Sequence, residues 1–332
     1  MALPGSRASL SKLADLLSST LSLSCRVLRA HLSHGQRRSS LHVSFRGFGG
    51  VRGLELVCPV GRGKEKVLGG AELRLGRLFN RESGRSFITA FDHGTNLRVP
   101  PEAGRPLEVV ERIVAGEPDG VLISPGTLKQ TAHLFAFRGA PAPILRADWT
   151  MLNERMEDLG EQYRVLCTPQ EAAALGAEAV VMYLIMGPEE GAMFADNAKA
   201  IAEAVHEARR VGLPLIVEAT LWGSRIDDKK DPDLLAYCCR IAAELGADAI
   251  KTEYTGVPET MAEVVEGCAV PVLTLGGAKD DSEEAVVEAA RGAIEGGVRG
   301  IIFGRNVWQA DDPVKMSASL REVVHGAAFA RR

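Results

Sequence analysis

Residues 244–256 read ELGADAIKTEYTG, and this stretch decides the fold of the 332-residue chain. It contains the end of a segment with helical periodicity, then Gly246, and then a short apolar segment, Ala247–Lys251, that is predicted to be a strand. Glycine just past the last helical residue is the usual end of a helix. The same order returns in VGLPLIVEAT (residues 211–220) and GGVRGIIFG (residues 296–304). A helix followed by a buried strand is therefore the repeating unit of this chain.

Working outward from that stretch, eight segments are predicted to be strands. They are Ser86–Phe91, Gly120–Ile123, Pro143–Arg146, Ala179–Ile185, Pro214–Ala219, Ala247–Lys251, Pro271–Leu275 and Gly300–Phe303. Helical periodicity lies between them, as in Met193–Val211, Leu234–Leu245 and Val314–His325. Continuous apolar strands with intervening helices indicate a parallel sheet covered on both faces.

Eight such units within residues 70–326 predict an α/β protein with one closed (β/α)8 barrel, the TIM barrel. An open doubly wound sheet is the alternative. No GxGxxG motif follows the first strand, which argues against a dinucleotide-binding version of that alternative.

The composition excludes several classes of protein. The net charge is −4 and aromatic residues make up 5% of the chain, so neither a basic surface nor a base-stacking platform for nucleic acid is expected. No apolar run is long enough for a membrane span. The six cysteines form no CxxC pair or zinc spacing, and a reducing compartment, the cytoplasm, fits them best.

The first 54 residues differ from the rest. They contain eight Arg or Lys, three His, many Ser and a single acid, Asp15. Such a composition is typical of an organelle transit peptide. A disordered tail, or a start assigned too far upstream and so absent from the mature protein, would have the same composition. An irregular extension is expected in either case.

Active sites of (β/α)8 barrels lie at the carboxyl ends of the strands, so the residues there are the candidates for chemistry. The first strand ends in Asp92 and His93, an acid and an imidazole suited to proton transfer. Both could instead cap and pack the following turn.

The sixth strand ends in Lys251, and the fifth contains Glu218, a possible proton carrier. A lysine amine at the barrel mouth can condense with a carbonyl substrate to form an imine. A structural lysine paired with Asp92 or Glu218 is the other interpretation. Tyr183, within the fourth strand, is more simply explained by packing.

The last two strands end in glycine-rich turns, with Gly276, Gly277 and Lys279 after the seventh and Gly304 and Arg305 after the eighth. In barrels these two turns often bind phosphate through backbone N–H groups and a helix amino terminus. Arg305 would add a charge-assisted contact. Arg225, in the turn after the fifth strand, could bind a second anion or lie in solvent.

Four motifs together carry a family resemblance: FDHG at the first strand, ELGADAIKTEYTG at the sixth, LGGAKDDSEE after the seventh and IIFGRNVWQADDP at the eighth. Over residues 70–326 the chain resembles the archaeal-type class I fructose-bisphosphate aldolases, relatives of the deoxyribose-phosphate and tagatose-bisphosphate aldolases.

The resemblance implies a Schiff base on Lys251, with Asp92 assisting imine formation and orienting the sugar. It also implies that Gly276, Gly277, Gly304 and Arg305 bind a substrate phosphate. Because the imine polarises the substrate, no metal or other cofactor is implied. A homo-oligomer, a pentamer or decamer, is implied as well.

One position departs from the family pattern. The resemblance places a proton-transferring tyrosine 31 residues before the lysine, where this chain has Thr220. Glu218, His93 or a water are the candidates for the missing role. A thiolase-like or transaldol-type transferase on a phosphorylated diketone or ketose, which would depend on coenzyme A, is therefore a second hypothesis. A non-catalytic barrel is a third.

Overall fold

The computed structural model describes residues 69–95, 105–151 and 160–326 in full and the backbone of residues 28–35, 38–47 and 50–56. The chain divides into two compact units, Met1–Val67 and Leu68–Arg332.

In the first unit, three strands pair in an antiparallel sheet in the order β1-β2-β3. They are β1 (Leu28–Gly35), β2 (Arg38–Gly47) and β3 (Gly50–Leu56). The apolar alternation Leu41, Val43, Phe45 within β2 is the local signal for a strand. This part of the extension is therefore regular, whereas an irregular segment was expected. The proposals that residues 1–54 are disordered or absent from the mature protein stay predictions.

The second unit contains a closed barrel of eight parallel strands, as predicted. The strands are β4 (Ser86–Phe91), β5 (Gly120–Ile123), β6 (Ala142–Arg146), β9 (Ala179–Ile185), β10 (Leu215–Thr220), β11 (Ala249–Thr252), β12 (Val272–Leu275) and β13 (Gly300–Phe303). Closure is made by β13 and β4, in the register Gly300↔Ser86 to Phe303↔Thr89. This closure excludes the open doubly wound sheet.

A further antiparallel pair lies after β6. It consists of β7 (Asp148–Met151) and β8 (Gln162–Val165), in the register Asp148↔Val165 to Met151↔Gln162. The sequence patterns above do not predict this pair. Because β7 begins only two residues after β6, it carries the chain onward from the end of a barrel strand.

The described helices mostly follow the strands. They are α1 (Gly70–Leu78), α2 (Pro106–Ala115), α3 (Pro125–Thr131), α4 (Pro169–Ala174), α5 (Gly191–Val211), α6 (Pro232–Leu245), α7 (Pro258–Glu266), α8 (Glu283–Glu295), α9 (Arg305–Trp308) and α10 (Pro313–His325). At the ends of α5 and α6, Gly212 and Gly246 adopt left-handed φ values of 67° and 103°. Glycine takes this conformation without a steric penalty, which is why these positions stop the helices and predict the strands that follow.

An apolar cluster to which all eight barrel strands contribute fills the barrel. Its strand residues are Ile88, Ala90, Leu122, Ile144, Ala179, Val181, Ile216, Ala249, Leu273 and Ile302. Leu78, the last residue of α1, packs against the same cluster. A second apolar layer lies between strands and helices. The barrel is therefore a packed core, and polar groups can gather only beyond its apolar filling.

Candidate active site

The polar centre of the barrel follows from the alternation of side chains along its strands. Residues two positions apart on a strand face the same side. Two positions after apolar residues of the barrel filling, four strands carry polar side chains: Arg146, Tyr183, Glu218 and Lys251. Asp92 stands in the same relation to Ala90. All five are buried, so the strand period and the closure of the barrel together place them above the apolar layer.

Four of these residues form a chain of charge contacts, called here the lysine side: Asp92, Arg146, Glu218 and Lys251. The Lys251 ammonium donates to Glu218 Oε1 with an Nζ–Oε1 distance of 2.7 Å. Arg146 Nη2 donates to Glu218 Oε2, and Arg146 Nε donates to Asp92 Oδ2 over 2.8 Å. Two cations and two carboxylates thus compensate one another where water is excluded, which buried charges require.

Burial alone would raise the pKa of Asp92. The positive charge of Arg146, with smaller contributions from His93 and Lys251, outweighs burial and lowers the pKa to about 2. Asp92 is therefore a carboxylate at neutral pH. It can accept hydrogen bonds from substrate hydroxyls, but it is a weak base.

Two neighbours hold Arg146 in place. Its guanidinium carbon lies 3.8 Å from the centre of the Tyr183 ring, and Asp148 Oδ1 is 3.5 Å from its Nη1. Burial raises the pKa of Asp148 to about 7, although Arg146 opposes the shift. The backbone N–H of Tyr183 donates to Asp148 Oδ2 over 2.7 Å, which fixes the carboxyl group. Tyr183 therefore packs, as predicted, and its ring also lines the cavity.

Arg146 and Asp148 are additions to the site predicted from the sequence. A signal for Arg146 exists, since a charged residue ends an otherwise apolar barrel strand. Its two partners on other strands have no local signal, because they become neighbours only through barrel closure.

His93 lies at the rim of the site. Its Nδ1 is 3.8 Å from Asp92 Oδ1, and its ring meets the edge of Trp308 with a centroid distance of 5.9 Å. Burial lowers the pKa of His93 to about 4, despite the nearby Asp92. The imidazole is neutral near pH 7, so its contact with Asp92 is not an ion pair at that pH.

The glycine side of the site consists of Gly276, Gly277, Gly304 and Arg305, at the ends of β12 and β13. A Cβ on Gly276 would lie 2.9 Å from Phe303 Cγ, and one on Gly304 would lie 2.5 Å from His93 Cε1. Gly277 has a left-handed φ of 67°. Gly276 and Gly304 have no room for a Cβ, and Gly277 has a φ value that favours glycine. These three glycines leave the backbone open to a ligand.

Asn306 ties the two glycine turns together. Its side-chain amide donates to Gly276 O over 2.7 Å, and its Oδ1 accepts from the N–H of Asp280 over 2.8 Å. Beside it, Arg305 Nε is buried without a hydrogen-bond partner in the described part of the chain. Burial lowers the pKa of Arg305, but a guanidinium remains protonated. An anion bound between the turns would supply the partner that Arg305 lacks.

A cavity of about 610 Å³ connects both sides. Its lining includes Lys251, Glu218, Asp92 and His93 together with Gly276, Gly277, Gly304, Arg305 and Asn306. All eight predicted site residues therefore face one space. Its size is in the usual range for small-molecule sites.

The turn after β10 contributes two lysines to the cavity lining, and not Arg225, the candidate from the sequence. Arg225 is exposed and is not among the lining residues, whereas Lys229 and Lys230 of the same turn are. Thr220 is fully buried and does not line the cavity either. Its hydroxyl is therefore not placed to exchange protons with a ligand there.

Glu253, two residues after Lys251, also lines the cavity and is buried. The Trp222 indole N–H donates to its Oε1 over 2.5 Å, while its Oε2 has no hydrogen-bond partner in the described residues. Burial raises the pKa of Glu253 to about 7. Repulsion from Glu218 adds to this shift, and the Trp222 hydrogen bond and Lys251 oppose it.

Within the described ranges, no group of three or more His, Cys, Asp or Glu is arranged to hold a metal ion. A metal-free reaction stays a prediction. None of the helices in these ranges has both the length and the apolar character needed to cross a bilayer.

Known proteins with similar sequences and folds agree on one family. The model of the DeoC/LacD family aldolases matches residues 86–310. The class 1 fructose-bisphosphate aldolase of Thermoproteus tenax is 34% identical over 260 residues, covering 75% of this chain and 93% of that protein. The 2-amino-4,5-dihydroxy-6-oxo-7-(phosphonooxy)heptanoate synthase of Streptomyces griseus is 32% identical over 256 residues, covering 77% and 90%.

A solved structure extends this agreement to the fold and the chemical class. It is an archaeal fructose-1,6-bisphosphate aldolase whose catalytic lysine is covalently bound to the carbinolamine intermediate of the substrate. It is 32% identical, with a TM-score of 0.67, and the match covers 76% of this chain and 99% of that one. This chain therefore belongs to the DeoC/LacD family aldolases and is a lyase of class I, the Schiff-base-forming aldolases.

Proposed function

We propose that this enzyme cleaves or forms a carbon–carbon bond in a phosphorylated ketose through a Schiff base on Lys251. One observation carries the proposal: the same cavity is lined by a buried lysine amine and by a glycine-rich turn with Arg305, whose Nε has no hydrogen-bond partner among the described residues. The first suits a ketone and the second suits a phosphate.

The contacts suggest a role for each side chain. Lys251 Nζ attacks the ketone carbon once its proton has passed to Glu218, which lies 2.7 Å away. Asp92, held by Arg146, accepts hydrogen bonds from the substrate hydroxyls. The neutral His93 can donate a hydrogen bond to the substrate at the rim of the phosphate site. The Schiff base then withdraws electrons from the bond that breaks, as a metal ion would otherwise do.

Two substrate classes follow from the relatives. Fructose 1,6-bisphosphate is one, and a ketose phosphate joined to a fragment with amino and carboxylate groups is the other. Lys229 and Lys230 line the cavity, and their ammonium groups suit either a second phosphate or a carboxylate. A coenzyme A-dependent transfer is the alternative reaction. A homo-oligomer of this enzyme remains part of the proposal.

Borohydride reduction tests the mechanism. The wild-type enzyme, incubated with dihydroxyacetone phosphate or fructose 1,6-bisphosphate and reduced, should gain a covalent adduct on the peptide that contains Lys251. Lys251→Met should lose the adduct and at least about 10³-fold in kcat, because the covalent intermediate cannot form.

The control is Lys199→Met, an exposed lysine of α5 whose contact is a surface ion pair with Glu203. The Lys199→Met enzyme should form the borohydride-reduced adduct and should cleave the substrate at the wild-type rate. Full-rate cleavage by the Lys251→Met variant would refute the mechanism. Mass spectrometry of adducts from a panel of sugar phosphates, with and without coenzyme A, then identifies the substrate class.

A further inference from the structure

We infer that Glu253 is the proton carrier of the bond-cleaving step, taking the role that Thr220 cannot fill. The inference rests on the proposed function, because it concerns a step that follows imine formation on Lys251. Cleavage needs a base for the hydroxyl next to the breaking bond and an acid for the carbon left behind. A single carboxyl group can do both in turn.

Three other acids and bases that line the cavity, Glu218, Asp92 and His93, are committed or mismatched. Both oxygens of Glu218 accept from cations, Oε1 from Lys251 and Oε2 from Arg146. Asp92, with a pKa of about 2, is a weak base, and so is His93, with a pKa of about 4. None of the three combines a free acceptor atom with a proton affinity suited to neutral pH.

Glu253 meets both conditions. Its Oε1 is fixed by the Trp222 indole, which orients the carboxyl group and leaves Oε2 without a protein partner among the described residues. A carboxyl group with a pKa of about 7 is present in both protonation states near neutral pH, which favours two-way proton transfer.

The titratable groups around Glu253 come from several elements. They are Glu218 on β10, Lys251 on β11, the Cys238 thiol on α6, and Lys229 and Lys230, which line the same cavity. Of these, Glu218 raises the pKa of Glu253 and Lys251 lowers it. Once Lys251 is bound as a protonated imine it still carries one positive charge, so its effect on the pKa of Glu253 persists until the bond breaks and the neutral enamine forms.

The step balances as follows. The ionised Glu253 takes the proton of the hydroxyl on the carbon that will leave. The bond between that carbon and its neighbour breaks, the leaving carbon becomes an aldehyde, and the electron pair moves toward the imine to give a neutral enamine on Lys251. Protonated Glu253 then returns its proton to the enamine carbon, and water hydrolyses the restored imine.

Two measurements separate this step from imine formation. Dihydroxyacetone phosphate is trapped with borohydride to report the imine, and its deuterium uptake in D2O reports proton transfer at carbon. Cleavage of fructose 1,6-bisphosphate is followed from pH 5 to 9. The variant is Glu253→Gln in the full chain, since glutamine keeps the shape and can still accept from Trp222. The matched control is Glu259→Gln, an exposed residue of α7.

Glu253→Gln should be trapped like the wild type but should lose about 10²- to 10⁴-fold in deuterium uptake and in kcat for cleavage. Glu253→Asp should recover part of both rates. In the wild type, cleavage should fall as pH drops through about 7, where Glu253 becomes protonated, and the glutamine variant should lack this limb.

Trp222→Phe tests the positioning residue. The indole hydrogen bond stabilises the ionised carboxylate, so removing it should raise the pKa of Glu253 and move the acid limb to higher pH. Unchanged deuterium uptake in Glu253→Gln, or a change in KM alone, would overturn the inference while Lys251 trapping stays intact. A wild-type enzyme that yields no adduct would overturn the proposed function and this inference with it.

Discussion

The lysine side and the glycine side of the cavity differ in how their buried charges are paired. On the lysine side, Asp92, Arg146, Glu218 and Lys251 are joined by ion pairs at buried positions. On the glycine side, the buried Nε of Arg305 lacks a partner among the described residues. A self-compensated cluster holds its geometry before a ligand arrives, whereas an unpaired cation gains its partner only from an anionic ligand. The difference supports our proposal that the lysine side carries the chemistry and that the glycine side binds the substrate phosphate.

Removing Arg146 would break the lysine side most severely. Arg146→Met leaves Asp92 without its main cation and removes one partner of Glu218. Because an uncompensated buried charge is costly, the free energy of unfolding should fall by about 3–5 kcal/mol, measured by urea denaturation. Arg240→Met, which removes an exposed pair with Glu244, should change it by less than about 1 kcal/mol. Equal losses in both variants would mean that the buried cluster contributes no special stability.

Removing Arg305 should leave stability nearly unchanged and affect the substrate instead. If Arg305 binds the substrate phosphate as proposed, Arg305→Met removes a charge-assisted contact of about 1.5–3 kcal/mol, so kcat/KM for phosphorylated ketones should drop about 10- to 100-fold. Borohydride trapping at saturating substrate should persist, because Lys251 is untouched. Lys279→Met, an exposed neighbour on the β12 turn, is the control with a smaller expected change. A loss of the same size for an unphosphorylated ketone would contradict phosphate binding by Arg305.

The smallest expected effect concerns the place where the two sides meet, the contact between Gly304 and His93. In Gly304→Ala, the new Cβ would lie 2.5 Å from His93 Cε1 and 2.8 Å from Ala90 O, so His93 must shift. Overpacking of this kind should lower the free energy of unfolding by about 1–2 kcal/mol and raise the KM for phosphorylated substrates. The matched change, Gly126→Ala in α3, adds a methyl group in open space and should be neutral or slightly stabilising. Thermal unfolding with and without inorganic phosphate distinguishes the two variants.

The sequence by itself determined the barrel and eight of the residues that face its cavity. Continuous apolar runs and glycine helix ends are local patterns, so the eight strands were predicted to within one or two residues at each end. Lys251 and the turns at Gly276 and Gly304 were found for the same reason, because the carboxyl end of a barrel strand can be read along the chain. The antiparallel pair β7–β8 was missed, since its strands, DWTM and QYRV, contain no continuous apolar run of the kind that marks the barrel strands.

Only the tertiary structure decided which charges meet. Asp92, Arg146, Glu218 and Lys251 come from four different strand ends and span 160 positions, from 92 to 251 counted inclusively. Their pairing depends on barrel closure and on side-chain direction, neither of which a local pattern records. Glu253 is the clearest case: in the sequence it is one acid beside a lysine. Burial, the Trp222 indole and an unpartnered oxygen distinguish it in the fold, because desolvation acts through space and not along the chain.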